Sequence, residues 1–188
     1  MKLLFCDVET TGLNSKEHSI WSLSYLLVED NKILSKDDYH IRPYKNAEPK
    51  ALEMSGMTLD EMQVFPTHKE VFEKFSSFLD STVSKFDKQD KLLFVGYNSK
   101  FDEEFVRQWF EDNGDKYYGS YFWSGTVDVM SMCNYALQSI RHKLPDFKLK
   151  TLAKLFNVEL EEHTSSSDIM ATFEIYQELN KNIIPINL

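Results

Sequence analysis

Three strand-patterned segments fill the first 42 residues before any helical period appears. Residues 2–7, Lys-Leu-Leu-Phe-Cys-Asp, read as a buried strand that ends on a carboxylate. Residues 19–28 and 32–42 read as two further strands, with Glu29, Asp30 and Asn31 as a polar hairpin turn between them. The chain therefore opens as a three-stranded antiparallel meander. Pro49 then starts a short helix that Gly56 ends. Thr58–Glu61 and Thr67–Glu70 are capping boxes for two more helices, the second carrying Val71, Phe72, Phe75, Phe78 and Leu79 at helical spacing. Residues 91–96 form the next strand, followed by a helix from about 101 to 113 that stops at Gly114. Residues 126–128 read as a short strand running into a helix over 129–142, and helices near 150–156 and 167–182 follow.

A meander followed by alternating strands and helices predicts an α/β chain: a mixed five-stranded sheet with helices on both faces. A length of 188 residues fits a single domain, 1–188, large enough to bury a core. Sites in such sheets form at the C-terminal ends of strands, where Asp7 and Asn98 both fall.

The net charge of −9 is spread evenly, with −4 on the first 94 residues and −5 on the rest. That excludes the broad basic footprint of a protein that wraps duplex nucleic acid, and any contact with phosphates must be local. One confined basic patch exists: Arg141, Lys143, Lys148, Lys150 and Lys154 against a single acid, Asp146. Its place just upstream of the last acidic motif suggests phosphate contact. Cys6 and Cys133 make no disulfide framework and read as small buried hydrophobes. The apolar run after Met1 stops at Asp7, too short for a signal peptide, and no run suffices to span a bilayer. A cytoplasmic location without membrane contact is expected.

Three short segments carry chemistry. Asp7-Val-Glu9 places two carboxylates on one face of a strand, where they repel unless a cation lies between them. Oxygen ligands of this kind suit Mg²⁺ or Mn²⁺, not zinc. Thr10-Thr-Gly12 follows with hydroxyls and backbone groups for a ligand. Asn98-Ser-Lys-Phe-Asp102 sets a second acid in the first turn of a helix, a position the helix dipole also favours. His163-Thr-Ser-Ser-Ser-Asp168 supplies a loop imidazole and an acid opening the last helix, with Ser165 or Ser166 as its cap. Four acids and a histidine at element ends are the parts that phosphodiester hydrolysis uses: two metals roughly 3.5–4 Å apart and a base for water.

The segments Phe5–Leu13, Tyr97–Asp102 and His163–Asp168 resemble the three exonuclease motifs of the DEDDh 3′–5′ exonucleases. That family includes the proofreading subunit of bacterial DNA polymerase III, RNase T and oligoribonuclease. The resemblance implies an RNase H-like fold and release of nucleoside 5′-monophosphates from a single-stranded DNA or RNA 3′ end. It implies two divalent ions, Mg²⁺ or Mn²⁺, held by Asp7, Glu9, Asp102 and Asp168, with His163 as general base. It further implies that Thr10, Thr11, Gly12 and Leu13 hold the terminal nucleotide, helped by Met57, Asn98 and Phe101. A polymerase or other protein partner, and a monomer or homodimer, fit the same family.

Departures from the pattern are confined to a few positions. Ser165-Ser166 replaces the usual Ala-Leu, Tyr97 a usual His and Ser55 another, and Trp21-Ser-Leu-Ser is more polar than the usual strand. Thr164 occupies the place where a variant subfamily has a catalytic Tyr. The alternative is a catalytically silent RNase H-like module that binds nucleic acid or protein; its mark, a lost ligand or His, is missing here. A small-substrate phosphatase would share the metals but needs no platform such as Thr10–Leu13.

Overall fold

The computed structural model describes residues 1–160 and 164–181. Strands β1 (Lys2–Thr10), β2 (Ile20–Glu29) and β3 (Lys32–His40) form the antiparallel meander. Its β2–β3 turn works because Asp30 and Asn31 both adopt left-handed backbone, which matches the strand twist. Helices α1 (Pro49–Ser55), α2 (Leu59–Met62) and α3 (His68–Thr82) follow, with Pro49 opening α1, Gly56 closing it at φ 66°, and both capping boxes formed. Then come β4 (Leu92–Gly96), α4 (Ser99–Asp112), α5 (Tyr118–Tyr121) and β5 (Phe122–Asp128). The chain continues through α6 (Val129–Ala136), a 3₁₀ helix (Gln138–Lys143), α7 (Leu149–Phe156) and α8 (Ser165–Asn180). The five strands run in the order β3-β2-β1-β4-β5, with β4 and β5 parallel to β1.

Alternation along β1 sorts the core into two layers. Leu4, Cys6 and Val8 face one layer with α3 and α4, where Phe75, Trp109 and Phe110 are fully buried. Phe5 faces the other, formed by α6, α7 and α8 through Val129, Cys133, Leu152, Ile169 and Phe173. Both cysteines are buried and unpaired, as expected.

Several expectations need correction, among them the end of β1, which runs past Asp7 to Thr10. The strand over 126–128 begins earlier, at Phe122, because Ser124 and Gly125 break the apolar alternation that marks strands in sequence. The helix over 129–142 ends at Ala136 and continues only as a 3₁₀ turn. The cap of α8 is Thr164, not Ser165 or Ser166: its hydroxyl accepts from the Ser167 N–H at 3.2 Å, while Ser165 turns inward. Among the described residues, no helix is long and apolar enough to cross a membrane.

Candidate active site

Asp7 and Glu9 stand on the face of β1 that carries Phe5, past the end of the paired stretch with β4. The helix packed over that face, α8, brings Asp168 in its first turn. Carboxylate oxygens of Asp7, Glu9 and Asp168 all lie within 4.8 Å of one another, and each residue is half-buried. Burial holds the Asp7 carboxyl well above the usual range, and the charges of Asp102, Glu9 and Asp168 push it further. Oxygen-only donors that repel one another when ionised are a donor set that fits a hard divalent cation.

Asp102 reaches the same end of the sheet from the other layer. Strand β4 stops at Gly96, so the Val8 N–H beyond it has no ladder partner. The Asp102 Oδ1 accepts that N–H at 3.0 Å. Asp102 is only 4% exposed, and burial pushes its carboxyl up to about 8 despite the backbone N–H groups that favour its charge. The turn that delivers α4 is fixed by Asn98, which adopts left-handed backbone at φ 61° and donates its N–H to Asp128 Oδ1 at 2.8 Å. Asp128 also caps α6 and accepts from Ser131 Oγ, so one side chain ties β4, β5 and α6 together.

Beside the carboxylates lies a cleft of about 350 Å³. Val8, Glu9, Thr10, Gly12, Leu13 and Phe101 line it, as do Trp21, Glu48, Lys50, Ala51, Met54 and Ser55. Leu13 is 78% exposed and stands free at its rim. Gly12 is packed so closely that a Cβ there would lie 2.5 Å from the His18 ring, whose Nε2 is 3.4 Å from Glu48.

The predicted residues divide accordingly. The structure brings Asp7, Glu9 and Asp168 together, puts Asp102 beside them, and places Thr10, Gly12, Leu13 and Phe101 in the cleft. Thr11 does not line it: the side chain is fully buried, donating to Asn46 O and accepting from the Ser19 N–H. Met57 lies in a separate hollow with Leu52 and Leu59, and Met54, one helical turn earlier, takes the cleft wall instead. Asn98 holds the α4 turn and is absent from the lining. Arg141 of the basic patch stacks on Phe147, 4.2 Å from its centroid, and none of the patch lines the cleft. His163 lies outside the described residues. Trp21, Lys50 and Met54 join the lining without a motif of their own; their signal in the sequence is the short helix opened by Pro49 and the polar strand at Trp21.

A family model for exonucleases, RNase_T, matches residues 4–176. The chain belongs to this exonuclease family. Among curated proteins, this member of the family is similar to the PolC-type DNA polymerase III of Clostridium perfringens, 26% identical over 170 residues. It is likewise similar to that of Lacticaseibacillus paracasei, 27% identical over 179 residues. These matches cover 90% and 93% of the chain but only 10% and 11% of the polymerases, so it spans about a tenth of their length. Among solved structures it resembles E. coli Exonuclease I in complex with a dT13 oligonucleotide. That TM-score is 0.77 at 21% identity, over 95% of this chain and 41% of the other. A zinc-bound E. coli ExoI–ssDNA complex gives 0.78 at 21% identity, over 96% and 41%. The mixed five-stranded sheet is thus the RNase H-like fold of DnaQ-like exonucleases.

Proposed function

We propose that the chain is a 3′–5′ exonuclease of the DEDDh type that removes nucleoside 5′-monophosphates from single-stranded DNA or RNA. The observation that carries this reading is the carboxylate group of Asp7, Glu9 and Asp168 beside a nucleotide-sized cleft. Asp7, Glu9 and Asp168 would hold one divalent ion, and Asp7 with Asp102 a second. When bound, Mg²⁺ or Mn²⁺ ions neutralise the carboxylates, lower the pKa of water and stabilise charge developing on the phosphodiester oxygens.

The protein's own groups do the rest. The terminal base enters the cleft between Leu13 and Phe101, where apolar surfaces stack bases without sequence preference. Gly12 lets the backbone approach the sugar and phosphate, and Lys50 supplies a cation at the cleft wall in a chain that is otherwise acidic. His163, five residues before Asp168, takes the proton from the attacking water. The new bond joins the water oxygen to phosphorus, the bond from phosphorus to the preceding 3′ oxygen breaks, and that oxygen is protonated. Acidic charge limits the number of phosphates held, which favours a strand end over a long duplex. The PolC-type relatives support a setting beside a polymerase, either in one chain or as a partner.

The test is digestion of 5′-labelled single-stranded DNA and RNA with Mg²⁺, Mn²⁺ or EDTA on a denaturing gel. A metal-dependent ladder shortening from the 3′ end is expected. Release of the label in the first step, or internal cleavage, contradicts the reading.

A further inference from the structure

On the face that carries Asp7 and Glu9, a second polar row runs alongside the carboxylates. The β1–β2 register sets Ser24 opposite Asp7 and Ser22 opposite Glu9, so both serines share the carboxylates' face. One pair earlier the same face is apolar, with Phe5 opposite Leu26 in the core layer below α8. Ser22, Ser24 and Ser165 are 3%, 1% and 4% exposed. Ser165 Oγ, in the first turn of α8, lies 3.0 Å from Ser22 Oγ and 2.7 Å from Ser24 Oγ.

A carboxylate fixes the direction of these bonds. Ser24 Oγ donates to Asp38 Oδ1 on β3 at 2.8 Å. A hydroxyl has one proton, so Ser24 must accept from Ser165, and Ser165 must then accept from Ser22. The result is a directed chain, Ser22 to Ser165 to Ser24 to Asp38, linking three elements. The buried hydroxyls of Ser22 and Ser165 find these partners only while α8 keeps this height and rotation over β2. Asp168 lies three residues after Ser165 on that helix, so the same contact governs where its carboxylate stands.

We propose that Ser165, held by Ser22 and Ser24, is a positioning residue that seats Asp168 against Asp7 and Glu9. The inference rests on reading those carboxylates as a metal site, and its test separates the two. Mn²⁺ binding to the whole chain is measured by calorimetry at neutral pH, without substrate. Ser165→Ala is expected to weaken Mn²⁺ binding roughly 3- to 10-fold, the equivalent of about one net hydrogen bond. Thr67→Ala, which removes the distant cap of α3, lowers stability without changing Mn²⁺ affinity. The Ser22→Ala/Ser24→Ala pair should reproduce the loss, and adding Ser165→Ala to it should cause no further loss. Ser165→Ala affinity within twofold of wild type overturns the proposal, as do additive losses in the triple variant. A wild-type chain that binds no Mn²⁺ overturns the metal-site reading itself and this inference with it.

Discussion

Asp102 Oδ1 accepts the N–H of Val8, the residue between the two acids of β1, although 94 positions separate them in the chain. The bond makes Asp102 part of the strand as much as of the site: it completes the ladder where β4 has ended. Asp102→Asn keeps an acceptor for Val8, whereas Asp102→Ala leaves a buried donor without a partner. The alanine variant should be less stable than the asparagine variant by about 1–3 kcal/mol, measured by urea unfolding in EDTA. Equal stabilities would mean that the bond contributes nothing.

Stability without metal should depend on pH in a direction set by the same groups. Asp7 and Asp102 have folded-state carboxyls raised above the unfolded values, so the folded chain holds their protons more tightly. Their contribution is complete below the unfolded carboxylate range and is lost as pH rises toward about 8, the Asp102 value. Carboxyls that are lowered, such as Asp90, Asp112 and Asp146, act in the opposite sense but only at more acidic pH. Thermal melts in EDTA should therefore show Tm falling between about pH 5 and pH 8, and Mn²⁺ should remove the fall. A flat profile in EDTA would contradict the assignment.

Gly12 is the tightest point of the cleft. Gly12→Ala must displace the His18 ring, whose Nε2 faces Glu48, another residue of the cleft lining. The clash should cost about 1–3 kcal/mol and raise KM for an oligonucleotide. Mn²⁺ affinity should stay unchanged, because Gly12 lies outside the carboxylate group.

Leu13 offers a cleaner test of substrate contact, since its exposed side chain supports little of the fold. Leu13→Ala should leave the melting temperature unchanged and raise KM about tenfold, the order expected for loss of one apolar base contact. An unchanged KM would place the strand end elsewhere.

His163→Ala should retain Mn²⁺ binding and lose roughly 10²–10⁴-fold in rate, the range for a positioned general base. Comparison of single-turnover rates with calorimetry separates those effects. An unaltered rate would remove His163 from the reaction.

The meander, the alternation after it and the Asp7–Glu9 face were legible because they follow from local period: two for strands, 3.6 for helices. Both capping boxes and the Asp30–Asn31 turn were legible for a similar reason, as backbone chemistry confined to four residues. The first part of the edge strand β5, residues 122–125, was not, because an exposed Ser124-Gly125 has no period to read. The family resemblance points to Met57, but the helix ending at Ser55 turns Met54 toward the cleft. Two departures from the family pattern, Trp21-Ser-Leu-Ser and Ser165-Ser166, were visible separately. Only the β1–β2 register and the α8 contact show that their serines bind each other.

The most direct measurement is product analysis of wild type and Asp7→Ala on one single-stranded oligonucleotide, by mass spectrometry with Mn²⁺ or EDTA. Wild type with Mn²⁺ should yield nucleoside 5′-monophosphates and a strand shortened at its 3′ end. EDTA and Asp7→Ala should each yield neither. Nucleoside 3′-monophosphates, or equal products from Asp7→Ala, would contradict the account.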